Sequence, residues 1–279
     1  MKITHTLACS LLGLSLTGLA LAAQPTNTRE ACYRVYKPET GQAGKDVIWV
    51  PTNDSLVTKM LQMAGTTSAD RVYDLGAGDG KIAIAAAKQF GATAVGVEYD
   101  PNMAKLGQCL TEAEGVADRV KIIQGDIFET DFSTATVVTL YLLPELNLRL
   151  RPTLLKMKPG TRVVSHSFMM EEWEPDDRSM TEDGSAFLWI VPADVEGTWN
   201  FRAREGGEPF SLKVEQTFQE ISGTIGGRPV EGAKLSGHEI AFEYKDGAAP
   251  VKVSGRLVGN RIEATAVRNG KNIAYTGTR

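Results

Sequence analysis

The chain of 279 residues has only three cysteines and three histidines, with no Cys-x-x-Cys pair and no His/Cys cluster. That excludes the usual zinc frameworks, which need such ligands at short spacing. No metal is expected. Aromatic residues are scarce at 7%, and a basic excess is missing, since the formal net charge is −4. A general nucleic-acid binder is therefore disfavoured, and no nucleic-acid partner is expected. No block of like charge marks a tail. What remains, 42% apolar and 23% charged residues, is ordinary for a globular protein. The length allows one large domain or two ordinary ones.

One long apolar run stands at the start. Lys2 precedes an apolar stretch from about Leu7 to Leu21, which closes on Ala20-Leu21-Ala22. The small-x-small triplet reads as a signal peptide over residues 1–23 and implies an exported, periplasmic protein. The alternative is an uncleaved leader that anchors the chain to the inner membrane, an envelope association through the N-terminal segment. Beyond the leader, Cys32 and Cys109 remain. Cys32 lies in a leading segment and Cys109 in a helical stretch, so nothing local favours their pairing. Residues 24–46 form a polar, turn-rich N-terminal segment, expected to be loosely ordered.

From Val47 two periodicities alternate. Helical spacing appears in "SLVTKMLQMA" (55–64), "DGKIAIAAAKQF" (79–90), "PNMAKLGQCLTEAEG" (101–115) and "PELNLRLRPTLLKM" (144–157). Pro152 lies inside the last of these and is expected to break it. Strand patterns appear in "DRVYDL" (70–75), "TAVGVE" (93–98), "RVKIIQGD" (119–126), "ATVVTLYLL" (135–143), "TRVVSHSF" (161–168) and "SAFLWIVPA" (185–193). This alternation predicts an α/β domain over 47–194, a Rossmann-like doubly wound parallel sheet with crossover helices. Residues 195–279 differ. Short alternating runs such as "TWNFRAR" and "FSLKVEQTF", separated by glycine turns, predict a small antiparallel all-β domain, a barrel or sandwich.

The chemistry concentrates in "VYDLGAGDGKIAIAAA" (72–87). A strand ends in Asp74, then Gly76, Gly78 and Gly80 alternate before a helix. In a doubly wound sheet this turn lies at the carboxyl edge, where ligands bind. Glycines there admit positive φ and close approach of backbone to ligand. A dinucleotide fold wants G-x-G-x-x-G and a helix N-terminus facing pyrophosphate. Here the spacing is G-x-G-x-G, and Asp74 would repel pyrophosphate. Glu98 ends the next strand, where it can accept hydrogen bonds from ribose hydroxyls, and Asp126 ends the one after. Three acids at successive strand ends suit a phosphate-free, cationic cofactor, S-adenosylmethionine.

These residues also carry a family resemblance. Residues 47–193 resemble class I S-adenosylmethionine-dependent methyltransferases. "IWVPTNDSLVTKML", "DLGAGDGKIAIAAA" and "VVTLYLLPELNLRLRPTLLKMKPGTRVVSHSFMMEEWEPD" look like the mitochondrial lysine methyltransferases of the ATP synthase c-subunit and the adenine nucleotide translocase, and their bacterial relatives. The resemblance covers about half the chain. It implies that Asp74 and Gly76 line the methionine end of the cofactor, with Gly78 and Gly80 shaping the turn. It implies that Glu98 binds the ribose, that Asp126 and Ile127 border the adenine, and that Pro51 and Thr52 belong to a loop closing over the cofactor. It also implies that Tyr141, with Pro144 beyond it, lies where substrate meets the methyl group, which makes Tyr141 the catalytic candidate. Ala77 and Lys81 depart from the family's usual serine and arginine. The Asn-Pro-Pro-Tyr signature of DNA and glutamine methylases is absent.

The implied activity is protein-lysine N-methylation, with a protein substrate presenting the lysine. A competing reading is an exported binding protein that retains the methyltransferase fold, its β domain holding a ligand or partner. His166, at a strand end, reads either as a base or as a structural histidine.

Overall fold

The computed structural model describes residues 28–247 and 249–279. The leader expected over 1–23 lies outside the described residues. None of the described helices is long and apolar enough to cross a membrane.

The first sheet has seven strands: β1 (Arg71–Leu75), β2 (Thr93–Glu98), β3 (Val120–Gln124), β4 (Val137–Leu140), β5 (Arg162–His166), β6 (Asp177–Thr181) and β7 (Gly184–Ile190). Their order is β3-β2-β1-β4-β5-β7-β6. β1 to β5 run parallel, while β7 pairs antiparallel with both β5 and β6. Successive residues point to opposite faces, and both faces are covered. Val72 joins a core with Leu56 and Leu61 of α2 (Asp54–Met63), Ala83 of α3 (Lys81–Phe90) and Leu106 of α4 (Pro101–Ala113). Tyr73 and Leu75 join the opposite core with Leu150 and Leu154 of α5 (Pro144–Leu154) and with Trp173 and Trp189.

Local chemistry sets the helix limits. Asp100 caps α4 by accepting from the Asn102 and Met103 amides, at 2.8 and 2.9 Å, with Pro101 at the first position. Gly91 ends α3 in the left-handed region. Pro152 does not break α5, contrary to expectation. It sits in the last turn, where Leu150 and Leu154 anchor the helix to the sheet and offset one lost hydrogen bond.

The polar N-terminal segment is ordered, also contrary to expectation. Helix α1 (Arg29–Val35) starts at Thr28, whose hydroxyl accepts from the Ala31 amide. Cys32 and Cys109 form a disulfide between α1 and α4, with Cα atoms 5.8 Å apart. A hairpin follows, in which the Gly41 amide donates to the Trp49 carbonyl and the Trp49 amide to the Gln42 carbonyl. Sequence proximity carried no hint of this, because the anchoring partners are tertiary.

The second sheet is antiparallel: β8 (Gly197–Ala203), β9 (Phe210–Thr217), β10 (Glu220–Ile225), β11 (Arg228–Pro229), β12 (Glu231–Ser236), β13 (Glu239–Asp246), β14 (Ala249–Val258), β15 (Arg261–Arg268) and β16 (Lys271–Thr278). β8 pairs with both β9 and β16, so the last strand returns to the first and the sheet curls into a nearly closed barrel. Trp199, Phe201, Leu212, Phe242, Val253 and Ile262 fill it.

The β9–β10 turn joins the two cores. Phe218 stacks on Trp173, and the buried Gln219 accepts from Trp173 Nε1 at 2.8 Å. Gln219→Ala would leave a buried indole N–H unpaired, at a cost of about 2 kcal/mol. Chemical denaturation of the variant checks this; an unchanged midpoint would show the contact to be dispensable.

Candidate active site

The glycine turn between β1 and α3 forms one wall of a cavity of about 280 Å³. Gly76 and Gly78 take positive φ, at 84° and 56°. A Cβ on Gly78 would come within 2.6 Å of Trp49 Nε1, so the indole of the N-terminal hairpin lies directly against the turn. Ala77 and Gly76 amides both donate to the Val97 carbonyl, which locks the turn to β2.

Asp74 is 2% exposed and accepts a 2.7 Å hydrogen bond from the Thr139 hydroxyl on β4. Burial pushes its carboxyl up to about 7 against the pull of that bond, and the charges of Glu98 and Asp79 push the same way. Glu98 is also held above the ordinary range by burial, although it accepts from the Gly78 and Asp100 amides at 2.7 and 2.8 Å. Each of its oxygens keeps lone-pair capacity for a further donor. Asp79, on the same turn, is raised by burial and accepts from the Tyr33 hydroxyl of α1. Three crowded, desolvated carboxyls make a place that a cation would stabilise. A sulfonium and an ammonium fit it; pyrophosphate does not.

Just beyond β3, Asp126 lies below its ordinary range because Lys45 bonds it, at 2.6 Å. Lys45 also sits 5.0 Å over the Tyr99 ring. The hairpin is thus latched across the cavity mouth. Lys81 donates to the Thr52 carbonyl at 3.0 Å and pairs with Asp54 at 3.1 Å. Thr52 shares a 3.0 Å hydrogen bond with His166 Nδ1, and the His166 ring stacks on Tyr141 at 3.7 Å.

Pro51, Thr52, Asp74, Gly76, Gly78, Glu98, Asp126, Ile127 and Tyr141 all line this cavity. Gly80 does not; it caps α3 with φ 82° and shapes the turn from behind. Pro144 opens α5, off the wall. Sequence reasoning missed Lys45, Trp49, Asp79, Tyr99 and Phe168, which also line it. Asp79 stood inside the glycine motif and could have been found as a fourth acid. Lys45 and Trp49 carried no signal, since their hairpin reaches the site only through tertiary contacts.

This sheet order, with acid-tipped strands around an alternating glycine turn, defines an S-adenosylmethionine-dependent methyltransferase. Residues 74–177 match the ANTKMT methyltransferase domain. A protein-lysine N-methyltransferase of Saccharolobus islandicus is 46% identical over 151 residues, 52% of this chain and 94% of that protein. The human lysine N-methyltransferase of the ATP synthase C-subunit is 31% identical, over 69% of this chain and 78% of its own. A crystal structure described as an RNA methyltransferase from Salinibacter ruber, bound to S-adenosyl-L-homocysteine, is 47% identical with a TM-score of 0.51, covering 52% of this chain and 96% of that one. The chain belongs to the protein-lysine N-methyltransferase family.

Proposed function

We propose that the protein methylates lysine side chains of a protein substrate, with S-adenosylmethionine as donor. The observation that carries this reading is the chemistry of the cavity wall. Tyr141, Leu143, Leu146 and Phe168 are aromatic or aliphatic. Such a wall suits a lysine stem and lowers the pKa of an entering amine, which must be neutral to act as nucleophile. The wall's two basic residues are both committed, Lys45 to Asp126 and Lys81 to Asp54. No wall cation is therefore spare for a phosphate backbone, which argues against RNA despite the name given to the Salinibacter protein.

When bound, S-adenosylmethionine supplies a methyl group already activated on a sulfonium. In this reading Asp74 and the glycine turn hold the methionine end, Glu98 takes the ribose, and Asp126 with Ile127 borders the adenine. Pro51, Thr52 and the hairpin cover the site and exclude water. Tyr141 stands where the acceptor enters. The chain's contribution is alignment of acceptor and donor, which can supply about 7–11 kcal/mol of a barrier.

We place the protein in the cell envelope, exported and either cleaved or anchored. The leader-like start supports this, and so does a disulfide, which persists in oxidising compartments. A reporter fused at residue 30 that worked only in the cytosol would reject export.

Purified protein with labelled-methyl S-adenosylmethionine and an envelope extract tests the activity. Label is expected in protein, as methyl-lysine by mass spectrometry. Label in RNA alone, or cofactor binding with no transfer, would overturn the reading; the latter would restore the exported binding protein, which the family relationship does not favour.

A further inference from the structure

We infer that His166 is a positioning residue for the transfer step, fixing the Tyr141 ring by stacking and the Thr52 hydroxyl by hydrogen bonding. The inference rests on the lysine reading above but on different atoms. His166 ends β5 and is 6% exposed, and it is not part of the cavity wall. Its two partners are. Thr52 Oγ1 lies 3.0 Å from Nδ1, and the Tyr141 ring centroid lies 3.7 Å away with the planes 28° apart.

Tyr141 has no other tether of its hydroxyl: among the described residues it makes no side-chain hydrogen bond. Its orientation at the wall is therefore set by the imidazole and by β4. Thr52 is gripped twice, by His166 at the hydroxyl and by Lys81 at the carbonyl. Two groups of the cavity wall, Thr52 and Tyr141, thus share one buried support.

The backbone around His166 is strained in a way that keeps this geometry. Ser167 takes φ 65°, and the Phe168 amide donates back to the His166 carbonyl at 2.8 Å. This is the sterically costly form of the three-residue turn, and such turns persist where surroundings over-determine them. It brings Phe168 to the cavity wall. From the far side Gly184 closes on the ring, where any Cβ would come within 2.9 Å of Nε2. The imidazole is held between the β6–β7 turn and the Tyr141 ring.

Burial pushes the His166 pKa down to about 4, so the ring is neutral near pH 7, and it meets Thr52 and Tyr141 rather than the cavity itself. Its contribution is geometric.

Two substitutions separate its two contacts. His166→Asn keeps a hydrogen-bonding group near Thr52 and loses the stack. His166→Phe keeps a stacking ring and loses the hydrogen bond. With poly-L-lysine as acceptor, each is expected to lower kcat about 10–100-fold, the scale of a lost positioning contact. Affinity for S-adenosylmethionine by calorimetry should fall by a smaller factor than kcat, because Thr52 is one part of the cover while Asp74 and Glu98 are held by other partners. Thr52→Val should reproduce the His166→Phe loss, and Thr52→Ser, which keeps the hydroxyl, should lose less than Thr52→Val, which keeps the test open if a His166 variant fails to fold.

A second readout does not need turnover. The ring carbon signal of Tyr141, assigned among seven tyrosines with Tyr141→Phe, should titrate above the ordinary range in wild type and fall toward it in His166→Asn. Unchanged Tyr141 titration together with unchanged kcat would overturn the inference. A wild-type enzyme that transfers no methyl to any lysine acceptor would instead sink the lysine reading and the role in transfer, while the tyrosine signal would still report the support itself.

Discussion

Affinity for S-adenosylmethionine is expected to rise about tenfold per pH unit from pH 5 to about 7, then to level. The cause is Asp74. Burial, with Glu98 and Asp79 nearby, holds its carboxyl up at about 7, so the free protein carries it protonated below that pH. A cationic ligand favours the carboxylate, and binding must then expel a proton. One expelled proton gives a slope of one decade per pH unit, about 100-fold across two units. Calorimetry at pH 6 in buffers of different ionisation enthalpy should count close to one proton released. Asp74→Asn should flatten the profile and leave affinity near the low-pH level. Binding that is flat in pH for wild type would refute the assignment of Asp74 to the cation.

The same group affects the free protein's stability. The native state keeps its proton up to about 7, whereas the unfolded carboxyl loses it near 3.8. Between those values the folded chain binds more protons, so this group's contribution falls as pH rises through the window. A bound cation removes the penalty. The rise in Tm from saturating S-adenosylmethionine should therefore be larger at pH 8 than at pH 5.

The difference between what could and could not be read from the sequence follows the range of the interactions. Asp74, Gly76, Gly78 and Glu98 were legible because a βα turn and the next strand end are local features with fixed spacing. The parallel part of the sheet, β1 to β5, was legible because its strands read as short apolar runs, while the antiparallel direction of β7 was not read. β6 was not, because it is an exposed edge strand, "DRSMT", with no apolar alternation. The ordered N-terminal segment was not, because its helix has seven residues, too short to be stable alone. What orders it comes from far along the chain: Cys109, Glu114, Asp79 and Asp126. His166 stood in plain view, but a single histidine at a strand end does not say whether it meets a proton or a ring.

That same N-terminal segment carries the second large effect. Replacing both Cys32 and Cys109 by alanine is expected to lower stability by about 4.5 kcal/mol, the loop-entropy value for a bridge of this span. The cysteines are 77 residues apart in sequence and Cys32 is 2% exposed, so the bridge closes a long loop and is shielded from reductant. For a chain of this size that corresponds to a fall in Tm of about 10 °C. A second consequence distinguishes the bridge from a passive staple. Helix α1 hangs on α4 through the disulfide and the 2.5 Å Arg29–Glu114 pair, and it carries Tyr33 to Asp79 of the glycine turn. The hairpin that follows, with Lys45 and Trp49, lines the cavity. Freed from α4, a seven-residue helix would fray, and the cover would spend part of its time open. Affinity for S-adenosylmethionine should then fall as the fraction of closed protein falls, at least about tenfold if closure becomes a minor state. Local release of the segment alone would weaken binding while leaving Tm near the wild-type value. Loss of the bridge's global restraint would lower both. A double variant with wild-type Tm and wild-type affinity would show that packing and the ion pairs hold the cover without the disulfide.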